Sequence, residues 1–146
     1  MGGTGYVIIR SGALGAYVAK RGVEGFWVDA FWQDRDQGKV VDVTGMPLRS
    51  TIPTFIILPR VGAGNAFLGG LSAGLLLADG DMREGIVSKQ PFELFFTPIL
   101  AVLYASVAAS FVVEQFGLPL LDTITGSWNG DEPMRRLRIL QARHGA

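Results

Sequence analysis

Hydrophobic positions in the first forty residues fall in short β-branched runs separated by glycine-bearing turns. Tyr6-Val7-Ile8-Ile9-Arg10 and Ala16-Tyr17-Val18-Ala19-Lys20 flank Ser11-Gly12-Ala13-Leu14-Gly15, a pattern that predicts two strands joined by a turn. Arg21 to Gly25 reads as a further turn, and Phe26-Trp27-Val28 begins a third strand. Gln33 to Lys39 is polar and loop-like, and Val40-Val41-Asp42-Val43 predicts a fourth strand. Beyond it the apolar runs lengthen. Ala66 to Ala78, rich in Leu, Ala and Gly, predicts a helix buried on most sides, and Ala101 to Gln115 predicts a second, ended by Gly117 and Pro119. Asn129-Gly130-Asp131-Glu132-Pro133 predicts the start of a third, with Asp131 as cap and Pro133 in the first turn. Strands first and helices later, without full alternation, give part of an α/β domain.

Charge narrows the function classes. The chain carries 13 basic and 13 acidic side chains with no long block of either sign, so the basic stripe expected of a nucleic-acid binder is missing. Arg135, Arg136, Arg138 and Arg143 cluster near the C-terminus and read as the solvated face of a terminal helix. There is no cysteine, which removes disulfides and thiolate metal sites, and the lone His144 has no second imidazole to share a metal. It reads as a surface residue. Phe26, Trp27, Phe31 and Trp32 read as core and sheet packing rather than a base-stacking surface.

Leu94 to Val113 is uncharged for twenty positions, and Val61 to Ala78 is nearly as long. Pro98, Thr97, Tyr104, Ser106 and Ser110 dilute the first run; five glycines and Asn65 dilute the second. Membrane insertion is therefore disfavoured. Met1 to Gly5 lacks the charged start and apolar core of a signal peptide, and Tyr6 stands where a myristoylation motif wants Ser or Thr.

The segment with candidate chemistry is Gly62-Ala63-Gly64-Asn65, just before an apolar helix. Glycines there let the backbone turn sharply and come close to a ligand. The first N–H groups of a helix have no intrahelical partner and favour an anion, such as a phosphoryl group. Close helix packing is the other reading of the same residues. A Walker A loop is excluded by the missing Gly-Lys-Ser/Thr, and the dinucleotide fingerprint fails at Phe67.

Val40-Val41-Asp42-Val43-Thr44-Gly45 and Gly62-Ala63-Gly64-Asn65-Ala66-Phe67 look like two halves of one signature. Joined, they resemble the Asp-Thr-Thr-Gly-Ala-Gly-Asp signature of PfkB-family (ribokinase-like) carbohydrate kinases. Arg10 to Ala16 resembles that family's phosphate-contacting strand-turn, and Leu103 to Ser110 resembles the small-residue helix beside its adenine pocket. All three stand in the family's order. The resemblance implies the C-terminal portion of a three-layer α/β/α domain, cytoplasmic, using ATP and Mg2+ to phosphorylate a sugar hydroxyl. It implies an anion hole at Gly62, Ala63 and Gly64, and nucleotide contacts at Ser11, Gly12, Ala13, Gly15, Asp42, Thr44 and Ser106. Nucleotide and sugar are the implied partners; the charge pattern argues against nucleic acid, and the diluted apolar runs disfavour a membrane.

Two departures qualify what is implied. Asn65 stands at the position of the family's general base, as in some eukaryotic members, and a neutral amide cannot accept a proton near pH 7. Family members are also considerably longer, with a sugar-binding half upstream. Gly45 to Val61 and Gly85 to Leu100 interrupt the family pattern. Each opens on Gly-Met or Gly-Ile and ends rich in Phe, Ile, Leu, Pro and Thr, as translated retained introns would, surface insertions being the alternative. The expectation is a truncated PfkB-like kinase portion, the alternative a non-catalytic nucleotide-binding or interaction remnant.

Overall fold

The computed structural model describes residues 5–40, 62–83, 93–115 and 117–144. Three antiparallel strands come first: β1 (Tyr6–Arg10), β2 (Ala16–Lys20) and β3 (Val23–Val28), paired in the order β1-β2-β3. Ile8 faces Val18, and Val18 faces Phe26, so even-numbered side chains form one face. Ala16, Val18 and Val28 are buried on it, with Tyr6, Ile8 and Phe26 packed alongside. The opposite face is open: Val7 is 58% exposed, Ile9 53% and Trp27 49%. The period-two alternation of the strands is thus a one-sided burial pattern.

Two glycines fix the local chain path. Gly15 has φ +93°, and a Cβ there would run into the backbone of Val28 and Asp29, so only glycine fits. Gly22, φ +76°, makes the tight turn between β2 and β3. That turn is shorter than the pattern predicts, because Val23 already pairs with Lys20 and β3 begins three residues before Phe26.

The helices are α1 (Ala63–Arg83), α2 (Glu93–Val112) and α3 (Pro133–Arg143). The central element is α2, which packs on α1 and α3 and touches β2 and β3. Ala101, Val102, Leu103, Ala105, Val107 and Phe111 are all buried. A helix apolar all round belongs inside, and α2 takes the place that the composition of Ala66 to Ala78 suggests for α1. By contrast α1 is one-sided: Leu68, Leu75, Leu76 and Leu77 are exposed, while Phe67 and Leu71 join the core. Gly70 and Gly74 let its backbone approach Ala101, Tyr104, Ala105 and Ala108 of α2 to near contact.

Several expectations need correction or fall outside the described residues. The polar Gln33 to Lys39 stretch contains 3₁₀ turns over Asp34–Lys39. The fourth strand at Val40 to Val43 lies outside the described residues except for Val40, which is buried. Gly45 to Val61 lies outside them entirely. Of Gly85 to Leu100, the part from Glu93 on extends α2 beyond the predicted Ala101 start, and Ile99 packs against the core. Pro133 does open α3, but Asp131 does not cap it: Glu132 precedes the helix, and no side chain caps it. The described residues form a mixed α/β structure with an antiparallel sheet and three helices. Among them no helix is long and apolar enough to cross a membrane.

Candidate functional site

A cavity of about 220 Å³ opens where the β1–β2 turn, the start of α1 and the middle of α2 meet. Gly12, Ala13 and Gly15 supply one wall, Ala63 and Gly64 a second, and Ser106, Ala109 and Ser110 a third. Segments nearly a hundred residues apart thus converge on one space. Phe31, Trp32 and Val40 close the apolar side.

The α1 end of the cavity has the character of an anion site. Gly62, with φ +100°, turns the chain into the helix, and its carbonyl accepts the first helical bond from the Ala66 N–H at 2.9 Å. The N–H groups of Ala63 and Gly64 therefore have no intrahelical acceptor where they line the cavity. A side chain at 64 would collide with the Arg10 guanidinium, which lies beside that helix start and 6.0 Å from the Phe67 ring centre. A cation and a helix N-terminus at one end of an apolar cavity favour a phosphate or carboxylate.

Not every predicted residue reaches this space. Ser11 lies outside the lining; its N–H donates to the Gly15 carbonyl at 2.8 Å and holds the turn. Asn65 is exposed on α1 and does not line the cavity. Asp42 and Thr44 lie outside the described residues. Gly62 sets the entry to α1 without lining the space.

Sequence reasoning missed the opposite wall, which is held from behind by a buried guanidinium. Arg136 on α3 is only 3% exposed, a correction to the reading of the C-terminal arginines as a solvated face. Its Cζ lies 3.7 Å from the Phe111 ring centre, 4.9 Å from Phe31 and 5.2 Å from Trp32. It donates to the Ser110 hydroxyl at 2.9 Å and pairs with Glu114 and Asp131. Glu114 Oε1 also accepts the Trp32 indole N–H at 2.9 Å, and Oε2 accepts from the Asn129 amide at 3.0 Å. Three rings and two carboxylates compensate a charge that could not otherwise leave water. Arg135, Arg138 and Arg143 are exposed as that reading expects, and Arg143 also donates to the Phe31 carbonyl at 3.0 Å. The His144 Nε2 accepts the Asp29 N–H at 3.1 Å, so this half-buried imidazole is a strut between α3 and the end of β3.

Partial burial of Asp131 works against its ionisation. The hydrogen bond from Arg136, the Glu132 N–H, the Arg136 charge and Arg135 outweigh it and hold the carboxyl below its ordinary value. In the exposed loop before α3, N–H donation from Ile124 and the Thr125 hydroxyl hold the Asp122 carboxyl low as well.

No family model matches the chain, and no solved structure matches it. It is similar to Protein MAK32 of Saccharomyces cerevisiae, with 28% identity over 89 residues, 61% of this chain. The matched stretch covers 20% of that relative, so the similarity spans about one fifth of the relative's length.

Proposed function

We propose that the cavity binds the phosphate-bearing part of ATP, in a chain that corresponds to the nucleotide-side, C-terminal portion of a PfkB-like carbohydrate kinase with a ribokinase-like three-layer fold. One observation carries the reading. Gly12, Ala13, Gly15, Ala63, Gly64 and Ser106 come from the three segments that resemble that family, and all of them line one cavity. MAK32 adds nothing to the chemistry, since its name states none.

The chain's own groups would act electrostatically. N–H groups at the start of α1, which have no intrahelical acceptor, and the Arg10 guanidinium offer hydrogen bonds to phosphate oxygens, charge-assisted in the case of Arg10. The apolar side at Phe31 and Val40 excludes water and strengthens those bonds. The volume falls below the ~300–1,000 Å³ usual for complete small-molecule sites, which suits one end of a nucleotide. Among the described residues no three acidic or histidine side chains converge to hold a metal. Magnesium would accordingly enter on the nucleotide phosphates with its own waters, its common mode of binding.

Asn65 favours a second reading, non-catalytic nucleotide binding. Its amide cannot take the sugar proton, and it is exposed beside the cavity rather than in it. Calorimetric titration with ATP, with and without magnesium, followed by a phosphate-transfer assay on several sugars, separates the two. Transfer that rises in Asn65→Asp supports the kinase reading. Saturable ATP binding with no transfer in either protein supports the second, and no binding rejects both.

A further inference from the structure

Arg136 touches nothing in the cavity, yet every group it holds borders or supports one wall. Its nearest polar contacts are Ser110, Glu114 and Asp131, and Ser110 lines the cavity. Glu114 fixes the Trp32 indole through its N–H, and Trp32 lines the same wall. The indole N–H also donates to the Ser110 carbonyl at 3.2 Å, so the ring is pinned to α2 at two points. The Glu114 anchor is the one tied to Arg136, which pairs with that carboxylate, while the Ser110 carbonyl belongs to the α2 backbone. Without the guanidinium fork the Glu114 carboxylate loses the partner that fixes it beside Trp32, turns toward water, and the indole loses that acceptor.

We propose that Arg136 is a positioning residue for the cavity: by neutralising Glu114 and stacking on Phe31, Trp32 and Phe111, it holds the Trp32 ring as a fixed wall against which the ligand packs. The ligand part of the proposal rests on the nucleotide reading, whereas the ring-holding part does not. Lysine cannot replace the planar fork, because it makes point contacts and stacks poorly. Arg136→Lys thus keeps the charge and removes the geometry.

The test uses a protein in which Trp27 and Trp128 are changed to Phe, leaving Trp32 as the sole tryptophan. Arg136→Lys in this background should shift Trp32 emission to the red and open it to acrylamide, while unfolding stays cooperative. ATP affinity should fall about tenfold, a change of about 1.4 kcal/mol. A purely structural role is separated by a double-mutant cycle: in Trp32→Phe, Arg136→Lys should cost little further affinity. Unchanged Trp32 emission and quenching overturn the proposal, as does an equal loss of affinity with and without Trp32. Should the unmutated protein bind no ATP, the nucleotide reading fails, and emission and quenching alone decide whether Arg136 holds the wall. If Arg136→Lys does not fold, Glu114→Gln carries the same comparison, since it removes the charge partner and keeps a weaker acceptor for the indole.

Discussion

A single arginine and the carboxylates around it account for much of the order at the C-terminal end. Asp131 receives the Arg136 Nε–H at 2.8 Å, the Arg135 Nη1–H at 3.0 Å and the Glu132 N–H at 2.9 Å. Its carboxyl therefore titrates lower in the folded chain than in the unfolded one. A depressed carboxyl adds stability above its unfolded value, near pH 4, and that stability is lost as pH falls through the lower folded value. Thermal unfolding followed from pH 7 to pH 2 should show a falling midpoint below about pH 4. Asp131→Asn should lower the midpoint at pH 7 and flatten part of that decline, leaving the share due to Asp122. A midpoint equally steep with pH in Asp131→Asn would detach the slope from this network. Arg136 itself was illegible in the sequence. Charge patterning assigns a cluster of arginines on a terminal helix to solvent, and only the convergence of Phe31, Trp32, Phe111 and Glu114 reverses that for Arg136.

At the scale of elements, the strands were readable because a half-buried sheet imposes alternation, and Ile8, Val18 and Phe26 stand in register on the buried face. The helices were readable in existence and less so in role. Composition suggested α1 as the enclosed helix, but its Gly70 and Gly74 serve one contact line with α2 rather than general burial. The two kinds of glycine in α1 make a paired prediction. A methyl group at Gly69 meets nothing, so Gly69→Ala should raise stability by about 0.5–1 kcal/mol through helix propensity. At Gly74 the same methyl group would meet the Ala101 backbone, 2.6 Å from its Cα. Gly74→Ala should destabilise by about 1–3 kcal/mol despite the same propensity gain. Chemical denaturation of both variants checks the pair, and a stabilised Gly74→Ala would mean that the helices are not in close contact there.

For the whole molecule, the candidate site was legible as separate pieces. Resemblance assigned Gly12, Ala13, Gly15, Ala63, Gly64 and Ser106 to the nucleotide side, and they do line one cavity. Arg10 stood at the head of the quoted strand-turn, but its place beside Gly64 depends on how β1 meets α1, which no local pattern encodes. The Trp32 wall depends on α3, from the far end of the chain, and left no sequence signal. Asn65 falls beside the cavity, which separates binding from catalysis in the proposed function. The central claim is that phosphate is held between Arg10 and the start of α1. Calorimetric titration of ATP into the unmutated protein and Arg10→Glu tests it most directly. Saturable binding that weakens about tenfold or more on charge reversal is the predicted result. Equal affinity in the two proteins, or no saturable binding to the unmutated one, would contradict it.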